Sequence, residues 1–152
     1  MKTNTSELSP EELTRYARQI GPGVFSAEGQ LRLKSSTALV TRVGGMGGPA
    51  ALALVMAGVG RVIIAHGGQM ISPDLNRQVL GSEAVLGKPR APHFADYLRS
   101  MNRFVTVEAI DHEPDEEEAL RNPASRSARL RCAVKLNGTI QNNKKEEMRY
   151  SA

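Results

Sequence analysis

One stretch constrains the fold more than any other. Thr37 to Val43 is a short, largely apolar run carrying Ala38, Leu39, Val40 and Val43. It leads straight into Gly44-Gly45-Met46-Gly47-Gly48. Pro49 then opens a segment of small apolar residues, Ala50 to Ala57, which Gly58 and Gly60 close. Arg61-Val62-Ile63-Ile64-Ala65 follows as a second apolar run. Such runs suit strands buried on both faces, as in a parallel sheet. Strand, glycine turn, helix and strand within about 30 residues make a βαβ unit. Its parallel strands demand a right-handed crossover.

Other elements flank this unit. Ser9-Pro10-Glu11-Glu12 predicts a helix start, with Ser9 as N-cap, Pro10 at the first helical position and Glu12 completing a capping box. Leu13, Tyr16, Ala17 and Ile20 continue it at helical spacing until Gly21-Pro22-Gly23. A short helix is expected from about Ser26 to Leu33. Residues 66–88 read as loop around a short helix at Asp74 to Val79. Pro92 to Met101 reads as a helix, and the alternating Phe104 to Ile110 as a third strand. Asp115 to Leu120 begins a further helix, its acidic first turn favoured by the dipole. Beyond Asn122 no periodicity persists. We therefore expect a domain over 9–121 and an irregular tail over 122–152.

The charge distribution excludes several function classes. Of 20 basic residues, seven lie in 122–152 beside two acidic ones, so the net charge of +4 belongs to the tail. The rest of the chain is close to neutral, which argues against a nucleic-acid-binding domain. With no Trp, three Phe and three Tyr, the chain lacks the aromatics of a base-stacking platform. Cys132 stands alone, so neither an internal disulfide nor a multi-thiolate zinc site is possible. His93 and His112 have no partners at metal spacing, and no bound structural metal is expected. The longest apolar run, Ala50 to Gly60, falls well short of the roughly 20 residues of a bilayer span. No signal-like segment opens the chain, and a cytoplasmic location is expected.

The glycine turn is where chemistry enters. A helix N-terminus offers free N–H groups and the positive end of the dipole, and glycines let a phosphate approach the backbone. Against the spacing G-x-G-x-x-G, Gly44 and Gly47 match, while Arg42 stands in the first glycine's place. A tight strand-to-helix connection would use the same glycines. Dinucleotide sites add a carboxylate at the end of the second strand for the ribose. Here that strand ends in Ala65-His66-Gly67-Gly68, leaving His66 as the polar group on offer.

Seven segments, in order, resemble the ThiF/MoeB-type adenylyltransferases, relatives of the ubiquitin-activating enzymes. They are Arg15 to Ile20, Glu28 to Lys34, Gly44 to Gly47, Ala57 to Gly60, Asp74 to Gln78, Gly87 to Ala91, and Met101-Asn102 with Val105 to Val107. The likeness covers about 11–113, the N-terminal half of the family's pattern. It implies an α/β, Rossmann-like three-layer fold with a partial, mainly parallel sheet. It implies an ATP-dependent, Mg-assisted enzyme that activates the C-terminal carboxylate of a ubiquitin-like or sulfur-carrier protein, and a homodimer. By the same likeness, Arg18 and Arg77 are catalytic. Gly44, Gly45, Gly47, Asn76, Gln78 and Arg90 would line or support the nucleotide site, and His66, at the end of the second strand, and Lys88 join them as candidates from the residues themselves.

Two departures stand out. The family's paired acids after the second strand fall on His66-Gly67-Gly68, and its later metal-holding Asp and Cys pairs have no counterpart. The break near 121 reads as a naturally shortened relative or an interrupted reading frame. The second function class is thus a non-catalytic nucleotide-binding or dimerisation protein on the same fold. A third, a nucleic-acid binder using the basic tail, is disfavoured by the neutral domain.

Overall fold

A computed structural model describes residues 7–21, 25–113 and 132–135. Helix α1 covers Pro10–Arg15, α2 Ala27–Lys34, α3 Gly47–Ala57 and α4 Arg90–Met101. Strands β1 (Thr37–Thr41), β2 (Arg61–Ala65), β3 (Thr106–Ile110) and β4 (Cys132–Lys135) form one sheet in the order β3-β2-β1-β4. β1, β2 and β3 run parallel, with Thr37 opposite Arg61 and Arg61 opposite Thr106. The expected βαβ unit is therefore present, and a second one, β2–α4–β3, extends it.

Helices α3 and α4 pack on each other and on the three parallel strands, so they share one face of the sheet. Alternation in β1 and β2 follows from this. Ala38, Val40, Val62 and Ile64 point into the helices and are buried, while Leu39 and Ile63 on the other face are half-buried. Val55 of α3 and Phe94 and Leu98 of α4 complete a core with no exposed surface at those three positions. Of the three layers expected, the described residues contain the sheet and one helical layer.

Three expectations shift. Helix α1 carries its full capping box, with Ser9 Oγ accepting from Glu12 N–H at 3.2 Å and Glu12 Oε2 accepting from Ser9 N–H at 2.8 Å. Yet it ends at Arg15, not Ile20. Tyr16 turns inward, and its hydroxyl accepts from the buried Asn102 Nδ2 at 2.9 Å. The tertiary contact overrides the helical spacing. Secondly, β4 lies inside the stretch expected to be irregular. Its four residues pair antiparallel with the otherwise free edge of β1, so the sheet is mixed. A strand that short owes its form to a distant partner and leaves little periodicity to read. Thirdly, the loop after β2 holds two 3-10 turns, Ser72–Asp74 and Glu83–Val85, in place of one short helix. The helix expected at Asp115 to Leu120 lies outside the described residues.

Candidate functional site

The parallel strands all end on one side of the sheet, where doubly wound folds place their ligands. Arg42 follows β1, His66 follows β2, and the chain leaving β3 passes Glu113. These ends, with Gly44, Arg77, Gln78 and Arg90, line an open cleft of about 330 Å³.

Local structure delivers each side chain there. Arg77 and Gln78 follow the Ser72–Asp74 turn, where their N–H groups donate to Asp74 O at 3.1 and 2.9 Å. Arg90 opens α4. It reaches the end of β2 because two loops are laced together. Met70 N donates to Lys88 O at 3.0 Å, Gly87 N to Met70 O at 2.9 Å, and Arg90 N to Gly68 O at 3.1 Å. Gly68 and Gly87 take the positive φ values, 83° and 74°, that this reversal requires.

Asp74 organises the charge. Its carboxylate is buried, and it pairs with Arg77 Nη2 at 2.8 Å and Arg90 Nη1 at 3.2 Å. One carboxylate thus serves two guanidiniums, leaving a net positive pair. Arg90 also donates to Gln69 O. His66 lies against Arg90 Nη1 at 3.4 Å and Glu113 Oε1 at 3.8 Å, both through Nε2. Its pKa is lowered from 6.5, first by burial and also by Arg90; the Val43 backbone, Glu113 and Asp74 oppose this. A neutral ring is therefore in place at pH 7, its Nε2 accepting from Arg90.

Some buried polar atoms here have no hydrogen bond of normal geometry among the described residues: Gln78 Oε1, Arg90 Nε and His66 Nδ1. Native interiors rarely leave such atoms unpaired unless a ligand or water completes them. Gln78 is 3% exposed, so its free oxygen is not a surface accident.

The sequence-derived residues divide into two groups. Gly44, His66, Arg77, Gln78 and Arg90 come together in the cleft. Gly45 lies beside Arg77, whose Cβ would be 3.5 Å from any added methyl. Gly47 lies so close to Arg42 O that a Cβ there would stand 2.6 Å away. Asn76, Lys88 and Arg18 are exposed and do not line it. Lys88 Nζ donates to Ala84 O at 3.1 Å instead. Sequence reasoning missed Asp74, Arg42 and Glu113 as cleft residues. Asp74, three positions before Arg77 and just after Ser72-Pro73, carried a signal that could have been used.

The comparisons with known proteins fit this geometry. Residues 16–128 match the ThiF family. The chain belongs to the ThiF family.

Among its relatives in the ThiF family, the vegetative HesA protein of Trichormus variabilis is 52% identical over 103 residues, covering 68% of this chain and 39% of its own length. The molybdopterin-synthase adenylyltransferase of Salmonella typhimurium is 34% identical over 127 residues, covering 84% of this chain and 51% of its own. Among solved structures, PaaA superimposes with a TM-score of 0.64 at 30% identity, over 75% of this chain and 39% of that one. E. coli MccB solved with ATP gives 0.55 at 28% identity, over 62% and 28%. The chain thus spans between about a third and a half of these two curated relatives. The family match runs past 121, to residue 128, beyond where the sequence motifs gave out.

The residues fit part of ATP. Three guanidiniums, the glycine turn and the unpaired Gln78 oxygen suit the phosphates and the polar groups beside them. At the end of β2 no carboxylate awaits a ribose. Among the described residues, no group of three His, Cys, Asp or Glu side chains could hold a metal ion.

Proposed function

We propose that the cleft binds the phosphates of ATP and that the chain is the nucleotide-facing part of an adenylyltransferase. Its substrate would be the C-terminal carboxylate of a ubiquitin-like or sulfur-carrier protein. The observation that carries this reading is the convergence of Arg77, Arg90, His66, Gln78 and Gly44 at the C-terminal ends of the parallel strands. In the reaction, a carboxylate oxygen attacks the α-phosphorus of ATP, the bond from that phosphorus to the bridging oxygen of the β-phosphate breaks, and pyrophosphate leaves as the acyl-adenylate forms. Two anions must meet, and fixed cations lower the cost of bringing them together. Arg77 and Arg90 supply that charge. The exposed Arg18 serves this reading best in a homodimer, acting on the partner copy's nucleotide. Lys88, Asn76 and Mg would complete the site in the assembled, loaded protein. Among the described residues no helix is long and apolar enough to cross a membrane, and we infer a cytoplasmic setting.

His66-Gly67-Gly68, standing where the family has acids, favours a second reading: a nucleotide-binding or dimerising protein without catalysis. Exchange of labelled pyrophosphate into ATP, with a carrier ending in Gly-Gly present, separates the two. The first reading expects exchange that falls at least tenfold in Arg77→Ala. Binding of ATP without exchange supports the second. No ATP binding would reject both nucleotide readings and leave dimerisation alone.

A further inference from the structure

The residue that interrupts the glycine motif stands in the cleft. Arg42 occupies the first-glycine position of the turn, and it is the non-glycine residue that takes a positive φ, 53°, among the described residues. Residues with a Cβ adopt that conformation at a cost in free energy. The surroundings impose it here. Arg42 N donates to Ala65 O at 2.9 Å, and Arg42 O accepts from Gly44 N at 2.6 Å. A glycine would meet both demands without strain. What the arginine adds is a guanidinium at the cleft rim.

That guanidinium differs from the other two. Arg77 and Arg90 are tied to the buried Asp74. Arg42 has a side chain 70% exposed, and its ion-pair partner among the described residues is Glu113, 3.5 Å away and itself 40% exposed. An ion pair that open is weak and readily exchanged for a stronger anion. A guanidinium only donates, so what it receives is an anion or an oxygen acceptor. Strain held at a site lined with cations points to a role for the side chain that requires it.

We propose that Arg42 is a further polyphosphate-binding residue of this cleft, released from Glu113 when the phosphates arrive. This rests on the nucleotide reading above. The test titrates the full chain and Arg42→Gly with ATP, pyrophosphate and adenosine by calorimetry, and records the thermal midpoint of each. Arg42→Gly is expected to melt at the same temperature or higher, since the strain is relieved. Its Kd for ATP and for pyrophosphate should rise at least fivefold, and that for adenosine should not change. Arg42→Lys should recover part of the ATP affinity. Equal ATP affinity in the parent and Arg42→Gly would overturn the role of Arg42 while leaving the nucleotide reading intact. A lower melting point with all three ligands weakened alike would also overturn it, since Arg42 would then be holding the turn. A parent that binds no ATP removes the nucleotide reading, and this assignment with it.

Discussion

The two ends of α3 are finished in opposite ways. At its C-terminal end the polar groups find partners. Ala57 O accepts from Gln19 Nε2 and Gln30 Nε2, each at 2.9 Å, and the two glutamines bond each other. Val55 O accepts from Asn102 Nδ2 at 2.7 Å, and Asn102 Oδ1 accepts from Phe104 N at 3.2 Å. Gly58, with φ 87°, ends the helix beneath this cluster, where a Cβ would stand 2.6 Å from Tyr16 and Gln30. The carbonyls that a helix leaves open at its end are thus covered by side chains. At the N-terminal end, Met46 gives no side-chain cap, the buried Gln78 Oε1 and Arg90 Nε lack partners among the described residues, and Arg42 is strained. The first end is closed by side chains; the second leaves buried polar atoms unpaired and one residue strained.

The largest break in this contrast should come from Asn102→Ala. It removes the bonds that Asn102 makes to Tyr16 Oη, Val55 O and Phe104 N, of which Val55 O keeps only Gly58 N–H at 3.2 Å. A loss of about 2–4 kcal/mol is expected, read as a lower urea midpoint at constant slope. A loss below about 1 kcal/mol would mean that the covered end is not what secures the helix.

Acid should separate the cleft from the N-terminal helix next. Glu12 anchors the N-terminal helix through Lys34 at 2.8 Å. Burial pushes its pKa up, but the bonds from Lys34 and Ser9 outweigh this, and the net shift is downward from 4.5. His66 is shifted downward from 6.5, chiefly by burial. In both cases the unfolded chain binds the proton more tightly. Each therefore contributes stability that is full above its unfolded value and is lost as pH falls through the folded one. The cleft should weaken first, below pH 6.5, and the Glu12–Lys34 contact only below pH 4.5. Thermal midpoints measured from about pH 3 to about pH 8 are expected to show this order. His66→Asn should flatten the upper part alone, and Glu12→Gln the lower part alone. A single transition that neither variant moves would refute the separation.

The smallest effect on stability should come from Gln78→Met. It removes an unpaired buried oxygen while keeping most of the volume, so stability should stay within about 1 kcal/mol of the parent or rise. ATP binding should weaken in the same variant. A large destabilisation would show that Gln78 belongs with the structural groups instead.

What the sequence revealed follows the same division. The βαβ unit was legible because its signals are local: apolar runs, glycines at the turn, and a proline in the first turn of the helix, which starts two residues before it, at Gly47. The Ser9 capping box was legible for the same reason. The end of α1 was not, because a residue 86 positions away, Asn102, decides it. β4 was not legible because its form depends on the edge of β1. In the cleft, Arg77, Gln78 and Arg90 were found through the family motif. Asp74, Arg42 and Glu113 were missed as cleft residues, since what they do arises only where separate strand ends meet. Arg42 was visible as a motif mismatch, and its meaning needed the backbone angle.

The buried carboxylate of Asp74 has one more consequence. Two guanidiniums brought together without it would repel each other, and their long side chains would wander among rotamers. Tied to one anion, both are pre-organised. An anion entering the cleft, as proposed above, would meet Arg77 and Arg90 already held by Asp74, and less of its binding energy would go into ordering them.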